Sequence, residues 1–122
     1  MKIIGDKIVP FEEFFKISNI FEIKNTKPNL LLFFEYDEEL LKYCYSQNLN
    51  FFVKISSIKE GLYANSLNSK YIVCKKDLAK KMQKIAENYM FDSKILAVIK
   101  SSDELEKIAL DEIDGAIYKE LI

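Results

Sequence analysis

From Leu30 onward the polar and apolar positions repeat one unit: a short apolar run, a polar junction, then an amphipathic stretch with helical spacing. The apolar runs are Leu30–Phe34, Phe51–Ile55, Tyr71–Cys74, Ile95–Ile99 and Ala116–Tyr118, with starts about 20 to 24 residues apart. That spacing is what strand–helix units need, and it predicts a parallel sheet. Parallel sheets place ligands at the carboxyl ends of their strands, so the pattern also says where a site would lie.

The helices between the runs have readable starts. Asp37 precedes a stretch with Leu40, Leu41 and Cys44 on one side. Ser57 with Glu60, and Ser101 with Glu104, have capping-box spacing. Asp77 is the expected cap of a helix carrying Leu78, Met82, Ile85, Ala86 and Tyr89 on one face. The last helix buries Leu105, Ile108 and Ala109 and ends near Asp114-Gly115, where glycine can take a positive φ. Gly61, Asn65 and Asn68 weaken the helix after Ser57.

The first 29 residues have a different pattern. Lys2-Ile3-Ile4 and Lys7-Ile8-Val9 flank Gly5-Asp6, which predicts a tight hairpin. Pro10 with Phe11, Phe14 and Phe15 predicts a helix over 10–17, and Ile20–Lys24 reads as a short extra strand. The expectation is therefore one α/β domain over 1–122, in which 1–29 packs on the repeating units of 30–122. Its core would be a small open, mostly parallel five-stranded sheet with helices on both faces. The flavodoxin-like order 2-1-3-4-5 is one layout that fits. Such a layout needs a helix after its last strand, and only four residues follow Tyr118. The 10–17 helix or a second subunit would fill that vacancy.

Composition narrows the chemistry. All 18 basic residues are Lys, and there is no His. The chain thus lacks the side chain that titrates nearest neutral pH, and the bidentate fork that suits phosphate and guanine. A net charge of −1 supplies no overall attraction to nucleic acid, and no apolar run is long enough to span a membrane. Charge meets the amino-terminal apolar residues too early for a signal peptide, which points to the cytoplasm. Cys44 and Cys74 read as small buried hydrophobes. With Gly only at 5, 61 and 115, no glycine-rich phosphate loop can be written. No cofactor and no metal are expected.

Candidate chemistry gathers at the strand ends. Lys75, Lys100, Ser101 and Lys119 form an expected anion-binding group, with Lys54 and Ser56 nearby and with Glu35 and Asp37 as an acidic rim. Aligning Ser56-Ser57 with Ser101-Ser102 sets Lys54 opposite Ile99, so the lysines do not share one register. Solvated strand ends in a Lys-rich chain are the plain alternative. The layout also resembles phospho-receiver domains, with Glu35 and Asp37 in place of the acidic pair, Ser101 of the hydroxyl residue and Lys119 of the final lysine. Cys74-Lys75-Lys76 stands where the phosphoacceptor Asp belongs, so membership does not follow.

The sequence favours a small cytoplasmic binding or regulatory domain without catalytic activity, working through protein–protein contacts. The many aromatics, the missing final helix and opposed charge blocks point to a homodimer or another protein partner. The alternative is an enzyme or sensor for a small anionic metabolite bearing phosphate or carboxylate, with a strand-end Lys as nucleophile and Glu35 or Asp37 moving the proton.

Overall fold

A computed structural model describes residues 1–122. The five expected strands are present as β3 (Leu31–Glu35), β4 (Phe51–Lys54), β5 (Tyr71–Cys74), β6 (Lys94–Ile99) and β7 (Gly115–Tyr118). Two more, β1 (Lys2–Ile4) and β2 (Phe14–Lys16), make a seven-stranded, wholly parallel sheet in the order β1-β7-β6-β5-β4-β3-β2. It curls into a half-barrel. The helices are α1 (Ile20–Ile23), α2 (Glu38–Ser46), α3 (Ile58–Ser66), α4 (Lys76–Asn88) and α5 (Leu105–Leu110).

This corrects the doubly wound expectation. From β2 to β7 each strand pairs with the next in sequence, so the chain never reverses direction across the sheet. Right-handed crossovers then put every helix on the same face. The packing bears this out. The buried residues of α2 to α5 that join a core cluster all join the larger one, with Phe34, Val53, Ile72, Ile95 and Ala116 from the sheet. The other face holds a separate cluster of Ile4, Leu31, Phe33, Phe52, Tyr71, Val73, Leu96 and Ile117. No face waits for a final helix, because α5 already packs on β7 and β1 continues the sheet beyond it.

The amino-terminal expectations fail together. The predicted hairpin is absent, since β1 and β2 sit at opposite edges of the sheet. The predicted 10–17 helix is instead extended chain and a strand, and the predicted Ile20–Lys24 strand is the one-turn helix α1. Asn19 caps that turn by accepting from the Glu22 N–H at 3.1 Å.

The stretch from Gly5 to Glu13 crosses the helix-free face like a strap. It is fixed at one end by the Tyr118 hydroxyl donating to Asp6 at 2.6 Å, and at the other by a 2.7 Å ion pair between Lys70 and Glu12. Phe11 and Phe14 pack under it, and Leu121 and Ile122 cover the same cluster. The hydrogen bond holds Asp6 below the usual carboxylate range and pushes the Tyr118 phenol up.

The four longer helices end alike. Asn48, Asn68, Met90 and Glu112 each adopt a left-handed φ between 50° and 69°. In each case the next N–H reaches back to the helix: Leu49 to Cys44, Ser69 to Ala64, Phe91 to Ala86 and Ile113 to Ile108. These are Schellman closures, which satisfy the orphaned carbonyls and turn the chain into the next strand. The positive φ expected at Gly115 therefore belongs to Glu112, and Gly115 opens β7. Asn68, which weakened the helix reading, is its terminator.

Candidate functional site

Side chains alternate along a strand, so each strand's buried residues assign its charged end to a face. Phe33, Phe52, Val73 and Ile117 belong to the helix-free cluster, and Val98 packs against it. Two residues beyond each stand Glu35, Lys54, Lys75, Lys119 and Lys100. All five therefore belong to the helix-free face at the carboxyl end of the sheet.

The levels differ along that face. Lys54 is the register partner of Glu35 on one side and of Val73 on the other. Lys75 follows Cys74, the partner of Ala97, and Lys100 and Lys119 follow the paired Ile99 and Tyr118. The lysines rise in steps across the sheet on one face. They share no single register, as expected, although Lys54 lies level with Leu96 and not with Ile99, because the junctions before the helices differ in length. Ser57 caps α3 three residues after Lys54, whereas Lys75 is itself the N-cap of α4.

These side chains open into two adjoining clefts. The first, of about 500 Å³, is lined by Lys54, Lys75, Lys76, Lys100 and Lys119, with Asp77, Glu104 and Val98. The second, of about 560 Å³, contains Glu35, Tyr36, Ser56 and Glu60 and shares Lys54, Lys75 and Asp77 with the first. Each is within the range of small-molecule sites. Of the five lysines only Lys76 has a carboxylate partner, Glu104.

Glu104 is the organising group of the basic cleft. Beside Lys76, it accepts the Lys100 N–H at 2.6 Å and the Ser101 N–H at 3.2 Å. The Lys76 ammonium, foremost, and these two N–H groups hold its carboxyl at about 2, down from its ordinary 4.5. The folded pKa is the lower one, so this stabilisation is complete above pH 4.5 and fades as pH falls toward about 2. A Glu104→Gln variant should melt below the parent at pH 7, with the gap closing as melts are repeated at lower pH. An equal gap at every pH would refute the role given to its charge.

The helix amino termini contribute differently. Asp37 caps α2, accepting from the Leu40 N–H at 3.0 Å, and lines neither cleft. Ser57 caps α3, accepting from the Glu60 N–H at 3.2 Å. Asp77, expected to cap α4, lies inside its first turn. The longest helix thus starts at Lys75 with no side chain closing its end, and its first N–H groups have no partner within the helix. Asp77 is left free to face both clefts.

Lys75, Lys100 and Lys119 are therefore brought together, with Lys54 and Lys76 joining them. Ser101 is exposed and meets the cleft only through its backbone, beside Glu104. Glu35 lines the second cleft, two strands from Lys75. Glu104, Lys76 and Asp77 were missed as site residues, though counting two positions past the last inward apolar residue would have assigned the lysines to one face.

A larger cleft of about 750 Å³ lies at the opposite end of the strands. Two of its three lysines are engaged: Lys70 pairs with Glu12, and Lys2 and Lys70 approach the Tyr71 ring at 5.9 and 5.6 Å, which leaves Lys94 alone there. The thiols offer no nucleophile, because burial pushes Cys44 up to about 11 and Cys74 up to about 12. No family model matches the chain, and no curated protein is detectably similar to it.

Proposed function

We propose that this protein is a small binding domain for an anionic metabolite, held where Lys75, Lys100 and Lys119 meet the amino end of α4. The observation that carries this reading is the uncapped end of the longest helix facing a cleft whose lysines, Lys76 apart, lack carboxylate partners. Backbone N–H groups at a helix start and nearby ammonium groups both favour a phosphate or carboxylate. The reading through protein contacts ranks second, since the vacant helix position that supported it does not exist in this fold.

The test is thermal. Phosphate at about ten times its dissociation constant should stabilise the protein by about 1.4 kcal/mol, roughly 5 °C, beyond a chloride control of equal ionic strength. Lys75→Met and Lys100→Met should each remove most of that increment while melting normally without phosphate. Equal melting in phosphate and chloride would overturn the reading.

A further inference from the structure

The rim is graded, and the gradient says more than that an anion binds. We infer that the ligand is a phosphorylated polyol lying along the rim, its phosphate over Lys75, Lys100 and Lys119 and its hydroxyl groups against Asp77 and Glu35. This rests on the anion reading above and adds the other end of the molecule.

Three observations carry it. The two clefts adjoin, sharing Lys54, Lys75 and Asp77 as lining, so a single extended molecule lying along the rim reaches both. Their chemistry differs: five lysines face two carboxylates in the first, whereas Glu35, Glu60 and Asp77 meet two lysines, with Tyr36 and Ser56, in the second. Within the second, Glu60 already accepts the Ser56 N–H at 2.9 Å and its hydroxyl at 3.2 Å. Glu35 and Asp77 accept no hydrogen bond from any side chain and form no ion pair, so their oxygens are open to donors from a ligand.

Charge balance selects the donor. In the second cleft Glu35, Glu60 and Asp77 face Lys54 and Lys75, a formal net charge of −1, against +3 for the five lysines and two carboxylates of the first cleft. A second phosphate is therefore disfavoured, and a group with several hydroxyls suits the open carboxylates, which accept hydroxyl hydrogens. Distance selects the length. Glu35 on β3 is level with Val73, so Lys75 lies two strand spacings across and two residues further along, about 12 Å away between backbones. A polyol of about five or six carbons spans that gap, and a three-carbon one falls short.

Calorimetric titration with inorganic phosphate, glycerol 3-phosphate and glucose 6-phosphate tests this on the intact chain. Glucose 6-phosphate should bind at least about tenfold more tightly than inorganic phosphate, the worth of one charge-assisted hydrogen bond, with glycerol 3-phosphate showing little of the gain. The paired change Glu35→Ala and Asp77→Ala should erase the gain and leave inorganic phosphate binding as tightly or slightly more so. Both positions are exposed, and melting of the paired variant checks that it folds.

If inorganic phosphate binds and glucose 6-phosphate binds no better, the polyol inference fails while the anion reading stands. The inference also fails if the gain survives loss of both carboxylates. If none of the three probes binds, both readings fall together.

Discussion

Phe52→Ala should destabilise the protein by about 3–5 kcal/mol, against a total of about 6–18 kcal/mol for a chain this long. Phe52 is fully buried on the helix-free face, where no helix shares the load. Its ring lies 4.8 Å from Phe33, 5.0 Å from Phe14 and 5.4 Å from Tyr71, measured between centroids. Those rings come from β2, β3 and β5, so one truncation opens a cavity touching four strands. Phe14 depends on it most, because β2 is an edge strand and pairs on one side only. Urea unfolding would show the midpoint fall with little change in slope, and Phe52→Leu would recover most of the loss. A cost below about 1 kcal/mol would mean that the helix-free cluster does not support the sheet.

Gly115→Ala is the second large effect, expected at about 2–3 kcal/mol. Gly115 has an ordinary backbone conformation, so space and not φ is at issue. A Cβ there would lie 2.2 Å from the Lys2 carbonyl oxygen and 2.8 Å from Leu96 Cδ2. Leu96 is fixed within the sheet, so β1 has to yield. Lys2 pairs with Gly115, Ile3 with Ala116 and Ile4 with Ile117, and displacing these three removes buried Ile4 from the inner cluster. Hydrogen exchange should therefore show lost protection in β1 while β4 and β5 keep theirs. Uniform loss across the sheet, or none, would contradict this account.

What could be read from the chain divides at about residue 30. The strands β3 to β7 are legible because they are covered on both sides and so become short continuous apolar runs, separated by helices of which α2 and α3 have side-chain caps. The amino-terminal elements follow other rules. Phe11, Phe14 and Phe15 have helical spacing, yet Phe11 and Phe14 serve the inner cluster and Phe15 points away, 55% exposed. An edge strand of three residues carries too little pattern to oppose that reading. Gly5 does take a positive φ of 101°, but to leave β1 for the strap and not to close a hairpin. Ile20–Lys24 is a helical turn because Asn19 accepts from the Glu22 N–H, a local cap that the strand reading left out. Strand order was not legible, because a crossover's length does not say on which side of the sheet the next strand lands. The lysine rim was half legible. Its residues were identifiable by type, but their common face followed only from knowing which apolar residue of each strand looks inward.

The unbroken neighbour-to-neighbour order of β2 to β7 has a kinetic consequence. From β3 to β7 each strand finds its partner across one helical stretch and one Schellman closure, and β2 meets β3 across α1, so these pairings join residues close in sequence and the sheet can lengthen one unit at a time from several starting points. The pairing of β1 with β7 is the exception, since it joins residues from the two extremes of the chain. Closing that loop carries the largest entropy cost of any strand pair and returns only three residues of sheet. Assembly of the six successive strands can therefore precede it, with β1 and the strap arriving last. The helix-free cluster then stays open to water until the end of folding, and is first to open when the protein loosens.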